Sequence, residues 1–288
     1  MLQNTKIAIT AGYILLCTLS FANAQELAVD TEADDDPDMI LRDYYVIPIK
    51  SQADLSFSVG VDYTEGNYGN PDKTKMTYIP ISFRYAYESW SFRISSGYIN
   101  VIGEDNIIPG TGIANLTNIA ENDSALGNDS GMGDVFISGS YSFESLQIDS
   151  FFVDITAQAK IPVGSVDKGL STGKVDLSLQ LDMAKHVGNF LPFATLGYRY
   201  IGKTERYNLQ NTWFVSGGLA YYLNDYTSVG FSYDLRRSAT IDIANLQELQ
   251  AFVDYQISGN WGIYIYAIKG LSDSSPDGGA GFQLRYNY

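Results

Sequence analysis

The chain has 288 residues, one cysteine and one histidine, with 18 basic against 33 acidic side chains and a formal charge of −15. That balance excludes nucleic acid as a partner, because phosphate recognition needs clustered Lys and Arg, and a single cysteine excludes a disulfide framework or a cysteine-based zinc site. With 18% charged residues, 22 tyrosines and 27 glycines, the apolar side chains are spread thinly, as they are along strands.

Met1–Ala24 carries Lys6 near its start, an apolar run from Ile7, and the ending Phe21-Ala22-Asn23-Ala24. A basic start, an apolar stretch too short to span a bilayer and an Ala-x-Ala ending predict a cleaved secretory signal, cut before Gln25. Cys17 follows Leu16 where a lipoprotein signal needs a small residue, so it leaves with the signal. Without Lys6 the charge becomes 17 − 33 = −16. Residues 25–52 form the next segment. Glu26, Asp30, Glu32, Asp34, Asp35, Asp36 and Asp38 follow one another there without Lys or Arg. Such a run repels itself and buries nothing, so an acidic, solvated periplasmic segment is expected. A calcium loop would need a glycine and a terminal glutamate that the run lacks.

From residue 53 to 288 the dominant signal has period two. Leu55, Phe57, Val59, Val61 and Tyr63 alternate with Ser56, Ser58, Gly60 and Asp62, and Ile79, Ile81, Phe83, Tyr85 and Tyr87 with Pro80, Ser82, Arg84 and Ala86. The pattern returns in Trp90–Ser95, Val135–Phe143, Phe151–Ile161 and Lys174–Met183, then near 192–201, 212–223, 227–237, 248–257, 261–270 and 279–288, giving twelve strands. Soluble sandwiches also alternate, but these strands run about 10 to 13 residues, against five or six in ordinary sheets and ~9–11 for a tilted bilayer crossing. Connections alternate in length as well. Glu88-Ser89, 144–149, 186–190, Asn224-Asp225 and Ser258–Asn260 are brief, whereas 64–75, 102–132, 164–173, 202–210, 238–246 and 271–278 are longer. Outer-membrane barrels have short periplasmic turns and long external loops. Tyr87, Trp90, Phe143, Tyr221, Tyr226, Trp261 and Tyr288 sort to the short-turn ends, and Tyr63, Tyr98, Tyr200, Trp213 and Tyr233 to the other, as two headgroup-level girdles would. The expected fold is therefore all-β: a transmembrane, antiparallel, up-and-down barrel of about twelve strands with both termini periplasmic. Backbone groups in hydrocarbon must all be paired, and only a closed sheet does this.

The last strand, Gly281–Tyr288, places apolar residues at 282, 284, 286 and 288 with a terminal aromatic, and resembles the C-terminal signal read by the barrel-assembly machinery. More specifically, Gly131-Met-Gly-Asp134, Gly169-Leu-Ser-Thr-Gly-Lys174, Pro192–Tyr198, Asn211–Ala220, Ser228–Asp234 and Gly270–Pro276 resemble the barrel transporters of the meta-pathway phenol-degradation family. The resemblance covers residues 131 to 288. It implies an outer-membrane barrel that transports small organic compounds, and it supplies no residue-level site.

Gly169–Lys174 superficially resembles a phosphate loop, but Lys168 stands where a glycine is required and a strand follows instead of a helix, which leaves a tight loop. His186 is the sole histidine, in the order His186-Val187-Gly188 and within a short turn; a barrel lipase would need a serine as its partner there. The usable chemistry lies on the inward phase, where alternation places Asp62, Arg84, Arg93, Asp134, Asp154, Lys160, Lys174, Asp176, Asp182, Arg199, Arg236, Glu248, Asp254 and Arg285. These form either a cross-strand lattice that props the barrel open or plugs it, or charges lining a constriction. Arg84 and Arg93 meet across a short hairpin as an anion-attracting patch, although the balanced signs predict weak overall ion selectivity. Ile107, Ile108, Pro109, Ile113 and Leu116 in the longest loop suggest either an inward constriction or an external cap.

The sequence thus predicts a cofactor-free, non-enzymatic channel of the Gram-negative outer membrane for passive passage of small molecules, organic or aromatic ones among them. Its expected partners are outer-membrane lipids, the assembly machinery through the last strand, and the permeant. The alternatives are an interaction barrel with a sealed lumen and a lipid-acting barrel enzyme.

Overall fold

The computed structural model describes residues 53–68, 72–104, 107–108, 112–113, 126–143, 151–241 and 243–288. The signal, the acidic segment and most of the longest loop lie outside these residues. All regular structure within them is extended: β1 Asp54–Gly66, β2 Thr74–Tyr87, β3 Trp90–Glu104, the two-residue strands β4 Ile107–Ile108 and β5 Gly112–Ile113, β6 Leu126–Met132, β7 Val135–Ser142, β8 Phe151–Ile161, β9 Asp176–Lys185, β10 Phe190–Tyr200, β11 Thr212–Asn224, β12 Thr227–Arg236, β13 Leu246–Gln256, β14 Trp261–Gly270 and β15 Gly278–Asn287.

Every neighbouring pair is antiparallel, and β1 pairs with both β2 and β15 while β2 pairs with β3, so the sheet closes on itself. β6 and β7 are the two halves of one stave beside β3. Twelve staves result, in the expected chain order. The stave breaks at Gly133-Asp134. The β3 register runs Ser95↔Phe136 below the break and Tyr98↔Met132 above it, which inserts one extra residue on the β6/β7 side. A bulge of this kind re-aims a side chain, and here it re-aims Asp134.

The faces follow the pleat. Phe57, Val61, Ile79, Ile81, Phe83, Tyr85, Ile94, Leu177, Leu179, Phe231, Val253 and Ile265 all point outward and are exposed. In water such a continuous apolar coat would be untenable. It suits hydrocarbon, with the backbone fully paired beneath it. Near the short turns the coat ends in contacting rings: Trp90–Tyr141 at 4.9 Å, Tyr141–Phe143 at 5.1 Å, Phe190–Tyr221 at 4.8 Å and Trp261–Tyr286 at 4.8 Å. Tyr63, Tyr98, Tyr200 and Tyr233 are exposed toward the long-loop end.

Connections alternate as expected, with brief ones at Glu88-Ser89, 186–189, Asp225-Tyr226 and 257–260 against longer ones at 67–73, 162–175, 201–211, 237–245 and 271–277. Glu88 adopts φ 50°, the positive value that a two-residue hairpin turn matched to strand twist requires.

Three sequence expectations need correction. The longest loop does not begin at 102 and end at 132, because β3 continues to Glu104 and β6 pairs with it from Leu126. Gly127, Asn128, Asp129, Ser130 and Gly131 are weak strand formers, and it is pairing that holds them extended, helped by Tyr98 Oη donating to Ser130 Oγ at 2.9 Å and Asn100 Nδ2 to Asn128 Oδ1 at 2.9 Å. Lys174 is not on an inward strand position: it is exposed in the loop before β9, which starts at Asp176. The inward phase is also less polar than alternation alone implied.

Candidate functional site

The candidate site is the barrel interior. Asp62, Asp134, Asp154, Lys160, Asp176, Asp182, Arg236, Asp254 and Arg285 are buried on the inner face, and Arg84, Arg93, Arg199 and Glu248 are half-buried on it. Asp234, which the sequence reading passed over although its phase is the same, is buried there too. Asp54 and Asp129, opposite Ala86 and Val101, are half-buried on the same face, so with Lys174 removed six basic side chains face ten acidic ones among the described residues.

They are not mixed evenly. Toward the long-loop end lies a lattice across β7, β8, β9 and β10. Lys160 Nζ sits 3.2 Å from Asp134 Oδ2 and 3.1 Å from Asp176 Oδ2, and Arg199 reaches Asp176 at 2.5 Å. The bulge makes this possible by turning Asp134 so that its Oδ1 accepts from the Val163 and Gly164 backbone N–H at 3.1 and 3.0 Å, while Ser171 Oγ donates to its Oδ2 at 3.0 Å. Lys160 also donates to Thr172 Oγ1 at 2.9 Å, and Gly202 N–H to Asp176 Oδ1 at 2.9 Å. The lattice thereby pins the 162–175 loop inward, and Leu170 of that loop is buried. Lys168 Nζ donates to the Ser130 carbonyl at 3.0 Å, so the loop also covers the flank of β6 that no strand pairs. For Lys160, Asp176 and Arg199, then, the geometry is that of a structural lattice.

Three other loops carry contacts at the same end. Tyr68, at φ 49°, is buried; burial pushes its phenol up to about 12, with a hydrogen bond to Thr64 opposing. Gln210 N–H donates to the Ala239 carbonyl at 2.8 Å, tying 201–211 to 237–245.

A second feature was not read from the sequence. Inward aromatic rings lie flat over glycines on the adjacent stave: Phe193 over Gly218, Phe214 over Gly197, Phe252 over Gly230 and Tyr266 over Gly281, each the direct cross-strand partner. A Cβ at Gly218 would stand 2.3 Å from the Phe193 ring, and one at Gly230 2.4 Å from Phe252. The missing side chain is what lets each ring lie along the wall instead of across the lumen. The rings join into a belt, Phe193–Phe252 at 6.4 Å, Phe252–Tyr264 at 5.6 Å and Tyr264–Tyr266 at 5.6 Å. Tyr266 Oη donates to Asp62, and Gln250 Nε2 to Tyr264 Oη at 2.7 Å. Leu191, Ala184 and Ala220 extend the apolar arc. The signal was present: an aromatic on the inward phase facing a glycine in the next strand. Recognising it required the register.

Asp182 accepts from Thr195 Oγ1 at 2.6 Å and Gln180 Nε2 at 2.8 Å, and Ser232 Oγ donates to Asp234 at 3.1 Å. Toward the short-turn end the inner wall changes character. Arg84 and Arg93 are direct cross-strand partners, and Arg285 lies on the same side of the barrel opposite Ser58.

His186, in the 186–189 turn, is held between Phe152 at 5.9 Å and Tyr222 at 5.4 Å. These apolar contacts do not make a nucleophile–base pair. Burial pushes the imidazole pKa below its ordinary 6.5. The unfolded chain then takes the proton more readily, so this turn loses stability as pH falls below 6.5 and is unaffected above it. An NMR titration of the single histidine is expected to give a midpoint under 6.5 in the folded barrel; a midpoint at or above 6.5 would contradict the packing.

Among the described residues no group of His, Cys, Asp and Glu has metal-site geometry. No curated protein sequence matches the chain. A family profile described as "Putative MetA-pathway of phenol degradation" matches residues 61–288, a wider span than the sequence motifs reached. In fold the chain is similar to an outer membrane channel from Pseudomonas putida F1, at 14% identity and TM-score 0.62 over 87% of this chain and 100% of that one. It is also similar to the NanC porin, at 11% identity and TM-score 0.51 over 80% of this chain and 98% of the porin.

Proposed function

Because the chain belongs to the family described as "Putative MetA-pathway of phenol degradation", and its closed barrel carries an apolar coat outside and ionisable groups within, we propose that it is an outer-membrane channel for passive passage of small organic molecules. The observation that carries this reading is the inversion of faces: aliphatic and aromatic side chains exposed outward, carboxylates and guanidinium groups directed inward. Such a body is stable only where hydrocarbon surrounds it. The reading includes export by the 1–24 signal in a Gram-negative cell, periplasmic termini and short turns, assembly through the last strand, and no catalysis. Residues 25–52 then lie on the periplasmic side.

A sealed interaction barrel is the second reading, favoured by the near-complete burial of Thr195, Ser232 and Ala220 in the inner layer. Proteoliposome swelling separates the two. Swelling with phenol, benzoate and small sugars, at rates rising with protein loading, is expected of the channel. Rates equal to those of protein-free liposomes for every solute would leave the sealed barrel standing.

A further inference from the structure

Three connections at the long-loop end each contribute an apolar side chain to one contiguous cluster inside the barrel: Tyr68 from the connection after β1, Leu170 from that after β8 and Ile243 from that after β12. Four staves separate each of these connections from the next, with β2, β3, β6/β7 and β8 filling the first gap. The three side chains therefore start from evenly spaced points on the rim. Met76 on β2, Ile99 on β3 and Ile268 on β14 join the same cluster from the wall.

Tyr68 leans inward from its rim position. It leaves the wall between β1 and β2, yet Glu248 on β13 and Arg236 on β12 are among the charged groups that act through space on its phenol. Leu170 lies over Gly131, with its Cδ1 3.0 Å from where a Cβ at that glycine would stand. Tyr68, Met76, Ile99, Leu170 and Ile268 are each no more than 8% exposed, so the cluster excludes water. The charges beside Leu170 are occupied. Lys160, Asp134 and Asp176 bind one another, and Asp134 and Lys160 also hold Gly164, Ser171 and Thr172 of the loop. An ion entering an apolar constriction sheds its water and finds no polar substitute. An uncharged organic molecule exchanges water for apolar neighbours and gains by it.

We propose that Tyr68, Met76, Ile99, Leu170, Ile243 and Ile268 form an apolar gate at the long-loop end of the lumen, which excludes ions and sugars and admits small uncharged organic molecules. This rests on the channel reading and names the side chains that set its selectivity. Leu170 and Met76 are the movable members. One sits on a loop, and the other is unbranched and repacks around irregular shapes.

The test compares ion conductance in planar bilayers with proteoliposome swelling in phenol, for the parent and for two substitutions that change polarity at nearly constant size, Leu170→Asn and Met76→Gln. The parent is expected to conduct weakly in potassium chloride while passing phenol. Either substitution hydrates the constriction and should raise the conductance about fivefold or more. Leu191→Asn, in the same cluster but at the short-turn end, should leave it at the parent level. Gel mobility before and after heating identifies the folded barrels, and only those are compared. Parent-level conductance in the folded Leu170→Asn and Met76→Gln variants, together with phenol swelling by the parent, overturns the gate and leaves the channel. An equal rise in Leu191→Asn also overturns it. Phenol swelling of the parent no faster than protein-free liposomes, combined with the rise in Leu170→Asn and Met76→Gln, overturns the channel reading and leaves the apolar seal.

Discussion

Lys160→Met is expected to be the most damaging single substitution in the barrel, lowering stability by roughly 3–5 kcal/mol. Its ammonium lies between Asp134 and Asp176, all three side chains being almost fully buried. Removing the cation leaves the carboxylates close together with less counter-charge; Asp176 keeps Arg199, but Asp134 keeps only backbone N–H groups and Ser171. The consequence extends beyond the strand. Asp134 and Lys160 together hold the 162–175 loop through Val163, Gly164, Ser171 and Thr172. Trypsin should therefore cut the variant at Lys168 under conditions where the parent resists, and the urea midpoint in detergent should fall. Lys168→Ala, which loses one exposed hydrogen bond, serves as the control for loop cleavage elsewhere. A parent-like midpoint and protease resistance in Lys160→Met would show that the lattice is not what holds the loop.

The second large effect is expected on the outer face. Ile81 is 46% exposed on the middle of β2, and Ile81→Arg should cost about 2–4 kcal/mol in a lipid bilayer, the figure for arginine at the midplane of a barrel. The neighbouring Ser82→Thr turns inward, keeps the hydroxyl that meets Ser58 at 2.7 Å, and should leave stability unchanged. Measuring folding into vesicles by gel mobility before and after heating compares the two. Equal tolerance of both substitutions would mean that the outward face does not contact hydrocarbon, and the membrane assignment would fail with it.

Strand number, chain order, the alternation of turn lengths and the outward apolar coat could all be read from the residues, because each is local. A period of two needs only the pleat, and a short turn needs only its neighbours. The same locality explains where the reading stopped short. Gly127–Gly131 carry no strand signal of their own and become extended because β3 runs beside them. Lys174 had the right phase but lies one loop too early, since β9 begins only where Asp176 can join the lattice.

What the sequence determined by itself is which side chains face in and which face out, since parity along a strand settles that. What only the tertiary structure decided is which inward groups meet. Register between strands far apart in sequence put Phe193 over Gly218 and Phe252 over Gly230. The bulge at Gly133-Asp134 aimed one carboxylate at Lys160. Closure of β1 on β15 brought Arg285 to the arc of Arg84 and Arg93. Parity is a property of one strand, whereas register, bulge and closure are properties of pairs. The inner surface of a barrel is written in pairs.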